Sequence, residues 1–325
     1  MGRYILRRLI YAIPVLLISS VLVFLVVHAT ADPLAAARLN PRIRPQDIER
    51  VRQSLGLDES GFQQYMTWLG HFLVGNWGTS LASGIPVFPQ IKSALWNSFV
   101  LGATATVVSL SVGVAIGLYS SLKQYSTFDY IATGGAFLGL SMPVFWFALI
   151  VQLFFGVYMT RWFHLSEPIF FTAGMTAPGT VGINVLDRVR HLFLPVLVVS
   201  VQVIAVYSRY MRASMLEVLQ SDFLRTARSK GIRERRVVIR HAMRNALIPI
   251  TTQVALDVGT IAGGLIITET IFAWPGMGSL FIDAMNSGDY MVILPWLMVT
   301  VTFVILFNLV ADILYAFLDP RIRYA

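Results

Sequence analysis

The sequence predicts an all-α integral membrane protein with six transmembrane helices and a small helical subdomain outside the membrane. Of its 325 residues, 56% are hydrophobic and only 13% are charged, whereas soluble domains carry about 25% charged residues. The apolar residues are gathered in long runs, and about 20 such residues cross the hydrocarbon core of a bilayer. The predicted organisation is an N-terminal segment with span 1 (1–31), the extracytoplasmic subdomain (32–97) and a five-span core (98–325).

Apolar runs of suitable length give the positions of the six spans. They are residues 9–29, 98–122, 130–158, 192–211, 246–273 and 291–318. The first run follows Arg3, Arg7 and Arg8, so a cleaved secretory signal is the alternative to a retained span. The apolar region of a signal is about 7–15 residues long. This run is longer, which favours a retained anchor.

The placement of lysine and arginine predicts which side of the membrane each loop faces. The formal net charge is +8, and positive residues accumulate in the cytoplasmic loops of membrane proteins. Ten of the 25 lysines and arginines lie in residues 209–244, from the end of predicted span 4 to the start of predicted span 5. With that segment inside, both termini are cytoplasmic, which agrees with an even number of spans.

The segment 32–97 is polar and is predicted to fold outside the membrane. Residues 48–55 and 62–74 have helical apolar spacing. A disordered loop is the alternative, but disordered segments are poor in aromatic residues. This segment contains Trp68, Phe72 and Trp77, so a folded helical subdomain is favoured.

The sequence contains no motif that would give the chain chemistry of its own. It has no cysteine. It also lacks a phosphate-binding Gly-x-x-x-x-Gly-Lys-Ser/Thr loop, a His-Glu-x-x-His zinc motif and a Gly-x-Ser-x-Gly nucleophile motif. Its five histidines are scattered without the spacing of metal ligands. We therefore predict no catalytic residue, no metal site and no cofactor in this chain, and active transport would need energy from another subunit.

The segment between predicted spans 4 and 5, here called the basic loop (residues 212–245), has a helix–glycine–helix pattern. Ser221 or Asp222 can cap a short helix over residues 223–230, which Gly231 ends. A second helix is predicted over 233–247, with arginines three and four residues apart on one face: Arg233, Arg236, Arg240 and Arg244. A cationic anchor on anionic lipid headgroups is the alternative. Nucleic acid is disfavoured because no base-reading fold accompanies the charge.

Two motifs in the basic loop resemble the membrane subunits of ABC importers that are fed by a binding protein. Their hallmark is Glu-Ala-Ala, three residues, then Gly, and here the corresponding residues are Arg225, Thr226, Ala227 and Gly231. The first two positions depart from the hallmark but match the peptide/nickel branch, which typically reads Arg-Thr-Ala-Arg-x-Lys-Gly. That branch continues as Arg-His-Ala-x-Arg-Asn-Ala-Leu-x-Pro, which residues 240–249 match.

Further segments resemble the same branch in the same order along the chain. They are residues 3–9, 55–58, 75–80, 269–278 and 319–324. Asn76 stands where Asp is more common in the family. Each match is short, but the ordered series covers the whole chain and identifies it as resembling this branch.

The resemblance implies the type I ABC importer permease fold, in a bacterial inner (plasma) membrane. The implied partners are a homologous second permease, two ATP-binding subunits or one fused ATPase, an extracytoplasmic solute-binding protein, the substrate and membrane lipid. ATP and Mg would be bound by the partner subunits, so the chain is predicted not to be an enzyme. The short helix would sit in a groove of the ATP-binding subunit and pass its motion to the spans. The implied coupling residues are Asp222, Phe223, Arg225, Thr226, Ala227, Lys230, Gly231, Arg240 and Arg244.

An acidic residue near the middle of span 5 is the main candidate for the translocation path. The charge of Asp257 costs about 2.5–3.5 kcal/mol at a bilayer centre on insertion scales, and the family more often has Gln there. It either lines the path, where it can meet the amino group of a peptide, or forms a hydrogen bond to a neighbouring helix. Gly263 and Glu269 are further candidates for the path. Asp312 lies near the cytoplasmic end of span 6, where snorkelling suffices.

The stretch after span 5 contains Trp-Pro-Gly, a strong turn signal. The resemblance implies a loop that dips towards the path and faces the solute-binding protein. The candidates for this outer gate are Phe272, Trp274, Pro275 and Gly276. Trp274 can equally be an aromatic-belt residue at the membrane interface.

Glycines four residues apart permit close approach of helices in a membrane. The pairs in the predicted spans are Gly113/Gly117, Gly135/Gly139 and Gly259/Gly263. We predict that they pack within the chain, with contact to the second permease as the alternative.

Together these observations predict the permease subunit of an ATP-driven, binding-protein-dependent importer of oligopeptides or dipeptides that works by alternating access. A nickel chelate is the alternative substrate, because the branch covers both. A stand-alone secondary transporter is the alternative class. A proton or ion relay needs several ionisable groups within the spans, whereas only Asp257 lies deep here, which favours the importer.

Overall fold

The computed structural model is built from helices joined by turns, and π-helical segments occur at Phe154–Tyr158 and Val237–Ala242 within otherwise α-helical elements. It describes residues 2–30, 34, 44–54, 56–177, 179, 182 and 184–318. The predicted C-terminal motif 319–324 and most of 31–43 lie outside the described residues. In chain order the helices are α1 (Gly2–Thr30), α2 (Pro45–Ser54), α3 (Gly61–Leu73), α4 (Val87–Leu122), α5 (Thr127–Ser141), α6 (Val144–Trp162), α7 (Val185–Leu219), α8 (Asp222–Ser229), α9 (residues 234–246), α10 (Ile248–Ile261), α11 (Ile266–Ile271), α12 (Met277–Ser287) and α13 (Tyr290–Leu318).

Five helices among the described residues are long and apolar enough to cross a membrane. They are Leu6–Ala29, Val87–Leu122, Val144–Trp162, Val185–Leu219 and Tyr290–Leu314. The all-helical membrane architecture is therefore confirmed. The helix of span 2 begins at Val87, not at residue 98, and its 36 residues are more than the roughly 20 that a bilayer core needs.

The predicted third span, residues 130–158, consists of two helices. Helix α5 ends at Ser141 and α6 begins at Val144. Pro143 causes the break, because the proline ring disfavours a helical conformation at Met142, whose backbone is extended. The Gln202 side chain of α7 donates a hydrogen bond of 2.9 Å to the freed Met142 carbonyl.

The predicted fifth span, residues 246–273, is also divided, into α10 and α11. Gly264 between them has a φ of +76°, which favours glycine. Its Cα lies so close to the backbone of Gly278 that no Cβ would fit. Neither α10 nor α11 has the length of a full span, which explains why five rather than six long helices are found.

Helix α4 packs closely on α7, and glycines make this possible. A Cβ on Gly113 would lie 2.9 Å from the Cβ of Tyr207, and one on Gly117 would collide with the Ser208 carbonyl. The prediction of packing within the chain is confirmed for this pair. Gly135 of α5, by contrast, has open space around it.

Stacked aromatic rings, here called the aromatic ladder, attach α3 to α1. The Phe24 ring of α1 lies 5.5 Å from the Tyr65 ring and 5.8 Å from the Trp68 ring, measured between centroids. Stacking continues from Trp68 to Phe72 and from Phe72 to Trp77. The predicted helices of the subdomain are present as α2 and α3. Its position on the outer side of the membrane stays a prediction.

The first and last helices also contact each other directly. Helix α1 packs on α13, and the Arg8 Nη1 atom lies 2.9 Å from Oδ2 of Asp312. The charge of Asp312 is thus paired within the chain rather than only directed to the membrane surface.

Candidate functional site

Helix α8 of the basic loop has one buried and one exposed face. Leu224 is fully buried and Ala227 is nearly so, in an apolar cluster with Met211 and Met215 at the end of α7. The opposite face is open, and the side chain of Arg225 is 84% exposed. The apolar face therefore fixes α8 to the bundle and leaves the polar face available for contact.

The predicted coupling residues divide between these two faces. Five of the six on α8 and its C-cap are exposed: Asp222, Phe223, Arg225, Thr226 and Lys230. Ala227, the sixth, is buried against the chain itself, so it supports α8 rather than offering an open surface. The helix begins one residue before the predicted start, with Ser221 as its N-cap residue.

Gly231 forms the turn that ends α8, as predicted. Its φ is +73°, its N–H donates to the Arg228 carbonyl at 2.9 Å, and the Ile232 N–H donates to the Ala227 carbonyl at 3.4 Å. This pair of bonds is a Schellman motif, in which glycine accepts a backbone conformation that side chains disfavour. The chain thereby reverses into α9.

The arginines of helix α9 and its N-cap lie on the protein surface. Arg233, Arg236, Arg240 and Arg244 are exposed. Val237 and Val238 are buried in the same apolar cluster as α8, whereas Ile239 is 45% exposed. The predicted arginines are therefore exposed, but the π-helical segment Val237–Ala242 interrupts the α-helical spacing that would put all four on one face. The coupling role of Arg240, Arg244 and the α8 residues stays a prediction.

A salt bridge closes the turn between α8 and α9. The Arg228 Nη2 atom lies 2.9 Å from Oε1 of Glu234. The hydrogen bonds from this guanidinium lower the pKa of the Glu234 carboxyl below its usual value. Both side chains are largely exposed, so solvent screens the interaction and its contribution to stability is small.

Asp257 on α10 is half-buried and accepts two hydrogen bonds from within the chain. The Tyr207 hydroxyl of α7 donates to Oδ2 at 2.7 Å, and the Gln253 side-chain amide donates to Oδ1 at 2.7 Å. The predicted alternative of a bond to a neighbouring helix is therefore present. The place of Asp257 on the translocation path stays a prediction. The same holds for Gly263, which is half-buried; a Cβ added there would lie 3.1 Å from Thr300 Cγ2.

Glu269 is fully buried and fastens the start of α12. Its carboxylate accepts hydrogen bonds from the backbone N–H groups of Gly278 (2.6 Å) and Ser279 (3.2 Å). The Ser98 hydroxyl of α4 donates at 2.7 Å and the Leu265 N–H at 3.0 Å. These contacts give Glu269 a structural role. Its predicted place on the path has no open surface in this conformation.

The segment 272–276, here called the Trp-Pro-Gly turn, is largely folded into the chain. Phe272, Trp274 and Gly276 are buried, whereas Pro275 is exposed. The Trp274 indole N–H donates to the Asn97 carbonyl at 3.0 Å. Trp274 is therefore an internal packing residue and not a belt residue at a lipid interface. Of the four predicted gate residues, only Pro275 is available for a partner in this conformation.

The sequence patterns missed an ion pair at the first residue of the basic loop. Arg212 on α7 binds both carboxylate oxygens of Asp129, the third residue of α5. No local spacing links two residues 83 positions apart. The one available signal was that each charge borders a predicted span, with Asp129 before residues 130–158 and Arg212 after residues 192–211.

Two matches with known proteins fit this arrangement of long helices, broken helices and a helix–glycine–helix loop. Residues 113–324 match the family described as binding-protein-dependent transport system inner membrane component. Residues 1–93 match the description of the N-terminal part of such membrane components. The chain belongs to this family of permease subunits.

The chain is also similar over its full length to individual permease proteins of peptide transport systems. The chain is 38% identical to the oligopeptide transport system permease protein AppB of Bacillus subtilis over 325 residues, which is all of both chains. It is 36% identical to the dipeptide transport system permease protein DppB of Escherichia coli K12, over all of this chain and 99% of the relative. DppB of Alkalihalophilus pseudofirmus is 37% identical over 99% of each chain.

Proposed function

We propose that this chain is the transmembrane permease subunit of an ATP-driven, binding-protein-dependent importer of oligopeptides or dipeptides. The observation that carries the proposal is the two-faced helix α8. Its apolar side is packed on the end of a spanning helix, and its polar side is exposed, as are the arginines of α9. Such a helix can receive the motion of a partner ATPase and pass it to the spans as rigid-body movement.

The substrate class rests on the relatives. Those that match along the whole length are named for oligopeptide or dipeptide transport. A nickel chelate is the less favoured substrate, because none of these names refers to nickel.

The proposed assembly contains this chain, a homologous second permease, a solute-binding protein outside and ATP-binding subunits inside, either two chains or one fused chain. ATP and Mg belong to those subunits. The exposed arginines of α9 and the Lys/Arg bias of the loops support a cytoplasmic position of the basic loop, and the bacterial relatives support a bacterial cell membrane. Both termini are then cytoplasmic, and the Trp-Pro-Gly turn faces the outside.

Transport by the reconstituted complex tests the function. Proteoliposomes that contain this chain with its partner subunits should accumulate a labelled dipeptide or oligopeptide when ATP and the binding protein are supplied. A nickel chelate offered at the same concentration separates the two substrates. Peptide accumulation by this chain alone, without ATP, would contradict the proposal and favour a secondary transporter.

Reporter insertions test the orientation. Gly84 lies in an exposed turn with open space around it, and Lys230 is the exposed C-cap of α8. A reporter after Gly84 should be accessible from outside and one after Lys230 only from the cytoplasm. Accessibility of both from one side would contradict the proposed topology.

Charge reversal tests the contact with the ATPase. Arg240→Glu with Arg244→Glu should weaken binding of the ATP-binding subunits, and added salt should narrow the difference from the wild-type chain. Arg161→Glu, an exposed arginine outside the basic loop, is the matched control. Equal ATPase recovery for both variants would place the contact elsewhere.

A further inference from the structure

One buried carboxylate joins the ends of three helices at the start of the basic loop. Asp129 is 3% exposed. Arg212 of α7 donates to both of its oxygens, from Nε at 2.7 Å and from Nη2 at 2.8 Å. The Ser120 hydroxyl of α4 and the Tyr125 backbone N–H also donate to it. Helices α4, α5 and α7 are therefore held together at this point.

Next to this pair, α5 and α7 are separated by a groove that a cation–π contact crosses, because the Arg209 guanidinium lies 4.9 Å from the centroid of the Phe137 ring. A groove of about 590 Å³ opens between the two helices, lined by Thr133, Phe137, Val206, Arg209, Tyr210, Arg212 and Ala213. Close contact resumes farther along α5, where a Cβ on Gly139 would lie 3.4 Å from Val201 and 3.6 Å from Ala205. The ion pair is thus the tie between α5 and α7 on the loop side of the groove.

Arg212 lies in the part of α7 that packs on α8, so a displacement of α8 would move it. Met211 and Met215, on either side of it in α7, are fully buried and pack in one cluster with Leu224 of α8. Close-packed side chains transmit displacement rather than absorb it. A movement of α8 therefore moves this end of α7, and with it the Arg212 guanidinium.

We propose that Asp129 and Arg212 are positioning residues that force α5 to follow α8 during the transport cycle. The inference rests on the proposed function, in which a partner ATPase displaces α8. With the pair intact, α5, the adjoining part of α7 and α8 move as one body up to the break at Met142 and Pro143. Without it, α5 follows α8 only indirectly, through α4, which packs on α7 at Gly117 and contacts α5 where the Phe128 ring lies 4.7 Å from the Tyr119 ring.

The coupling ratio, peptide imported per ATP hydrolysed, tests this proposal in the reconstituted complex. Asp129→Asn and Arg212→Met should keep the complex assembled and ATP hydrolysis active. The ratio should fall by roughly two- to thirtyfold, the range for residues that carry coupling between sites. The double variant should be no worse than either single variant, because a shared interaction is lost only once.

A salt bridge elsewhere in the chain supplies the control. The Nη2 atom of Arg190 in α7 lies 3.0 Å from Oε1 of Glu167, which is in the segment before that helix. Glu167→Gln breaks this pair and should leave the coupling ratio unchanged. An equal fall for Glu167→Gln and Asp129→Asn would show a general effect of charge loss and overturn the proposal.

A covalent tether separates mechanical linkage from stability alone. The chain has no cysteine, so Asp129→Cys with Arg212→Cys can be joined by a short bifunctional thiol reagent. The tether should restore the ratio that the untethered variant loses, and each single cysteine variant, treated alike, should show no recovery. A tether that blocks transport would mean that the pair must open in each cycle, which overturns the proposal.

The outcomes also separate this inference from the proposed function. If the wild-type complex imports no peptide, the proposed function fails first. If the wild-type complex imports peptide and both single variants keep its coupling ratio, only the role of the ion pair is overturned. If a single variant fails to assemble, the coupling ratio of the tethered double-cysteine variant tests the proposal instead. That variant leaves no buried charge without a partner.

Discussion

The basic loop and the Trp-Pro-Gly turn are both segments that match the importer family, yet they use their polar residues in opposite ways. Arg225, Arg240 and Arg244 of the basic loop are exposed on the protein surface. In the Trp-Pro-Gly turn and the helix α11 before it, here together called the turn region, Trp274 and Glu269 are buried and bind the chain's own backbone. A family motif can therefore be an open contact surface or an internal fastening, and burial distinguishes the two.

The comparison predicts that the largest loss of stability follows a change in the turn region. Glu269→Ala leaves the N–H groups of Gly278 and Ser279 and the Ser98 hydroxyl without partners in a buried site. We expect a loss of about 3–5 kcal/mol, measured as a lower unfolding temperature of the detergent-solubilised complex. Arg225→Ala, on the open face of α8, is the control and should leave that temperature unchanged. A similar drop for both would break the comparison.

Asp257 lies between the two regions and can belong to either type. Asp257→Asn keeps hydrogen-bonding capacity but removes the charge, and a bond to a charged group is worth about 1.5–3 kcal/mol. If the carboxylate meets peptide amines, uptake should fall by at most about a hundredfold, with a smaller fall for acetylated peptides. The amount of assembled complex should not change.

Tyr207→Phe is the matched variant for Asp257. It removes the hydroxyl that donates to Asp257 but leaves the charge in place. If the carboxylate contacts the peptide, Tyr207→Phe should have the milder effect on uptake. Equal losses for both variants, and for free and acetylated peptides, would assign Asp257 to internal fastening.

At the end of α8, a change in the basic loop should alter function more than stability. Gly231 has a positive φ, and a residue with a Cβ costs roughly 1–2 kcal/mol in that conformation. We expect Gly231→Ala to reduce the coupling of ATP hydrolysis to uptake while the complex remains assembled. Gly231→Asn should be milder, because asparagine tolerates this conformation. Open space around Gly231 rules out a steric clash as the cause of either effect.

The smallest predicted effect concerns the Arg228–Glu234 salt bridge. Because the pKa of Glu234 is lowered in the folded turn, its stabilising effect is fully present above the ordinary value of 4.5. The effect is lost as the pH falls below that value through the lowered pKa. A spin label on Arg235→Cys should become more mobile in that range. The labelled chain with Glu234→Gln should show the higher mobility already at pH 7. A label mobility that does not change with pH in the labelled chain that keeps Glu234 would contradict the prediction.

The sequence predicted most of the helices and the turn at Gly231, because these depend on local patterns. Apolar runs mark spanning helices, and glycine after a short helix marks its end. The breaks at Pro143 and Gly264 were not predicted, since hydropathy stays high through both. Their cause is backbone conformation, and for Gly264 also the approach of Gly278 from a later helix.

The contacts that define the polar sites were largely beyond sequence reasoning. Asp129 meets Arg212, and Trp274 meets Asn97, only because the helices fold back on each other. Glu269 and Arg225 look alike as charged residues in family motifs, yet one is fully buried and the other is open. Burial of a polar residue depends on long-range packing, which no local spacing encodes.

The contact between α1 and α13 sets an order of events during biosynthesis. Arg8 leaves the ribosome early, whereas Asp312, its partner at 2.9 Å, is made near the end. The aromatic ladder is available much sooner, because Phe24 needs only Tyr65 and Trp68 of α3. We therefore expect α1 to pack on α3 before α13 is made and to gain its remaining contacts when α13 follows. A chain that ends before α13 keeps the early docking and loses the closure, which leaves one side of α1 open to lipid and to quality-control proteases.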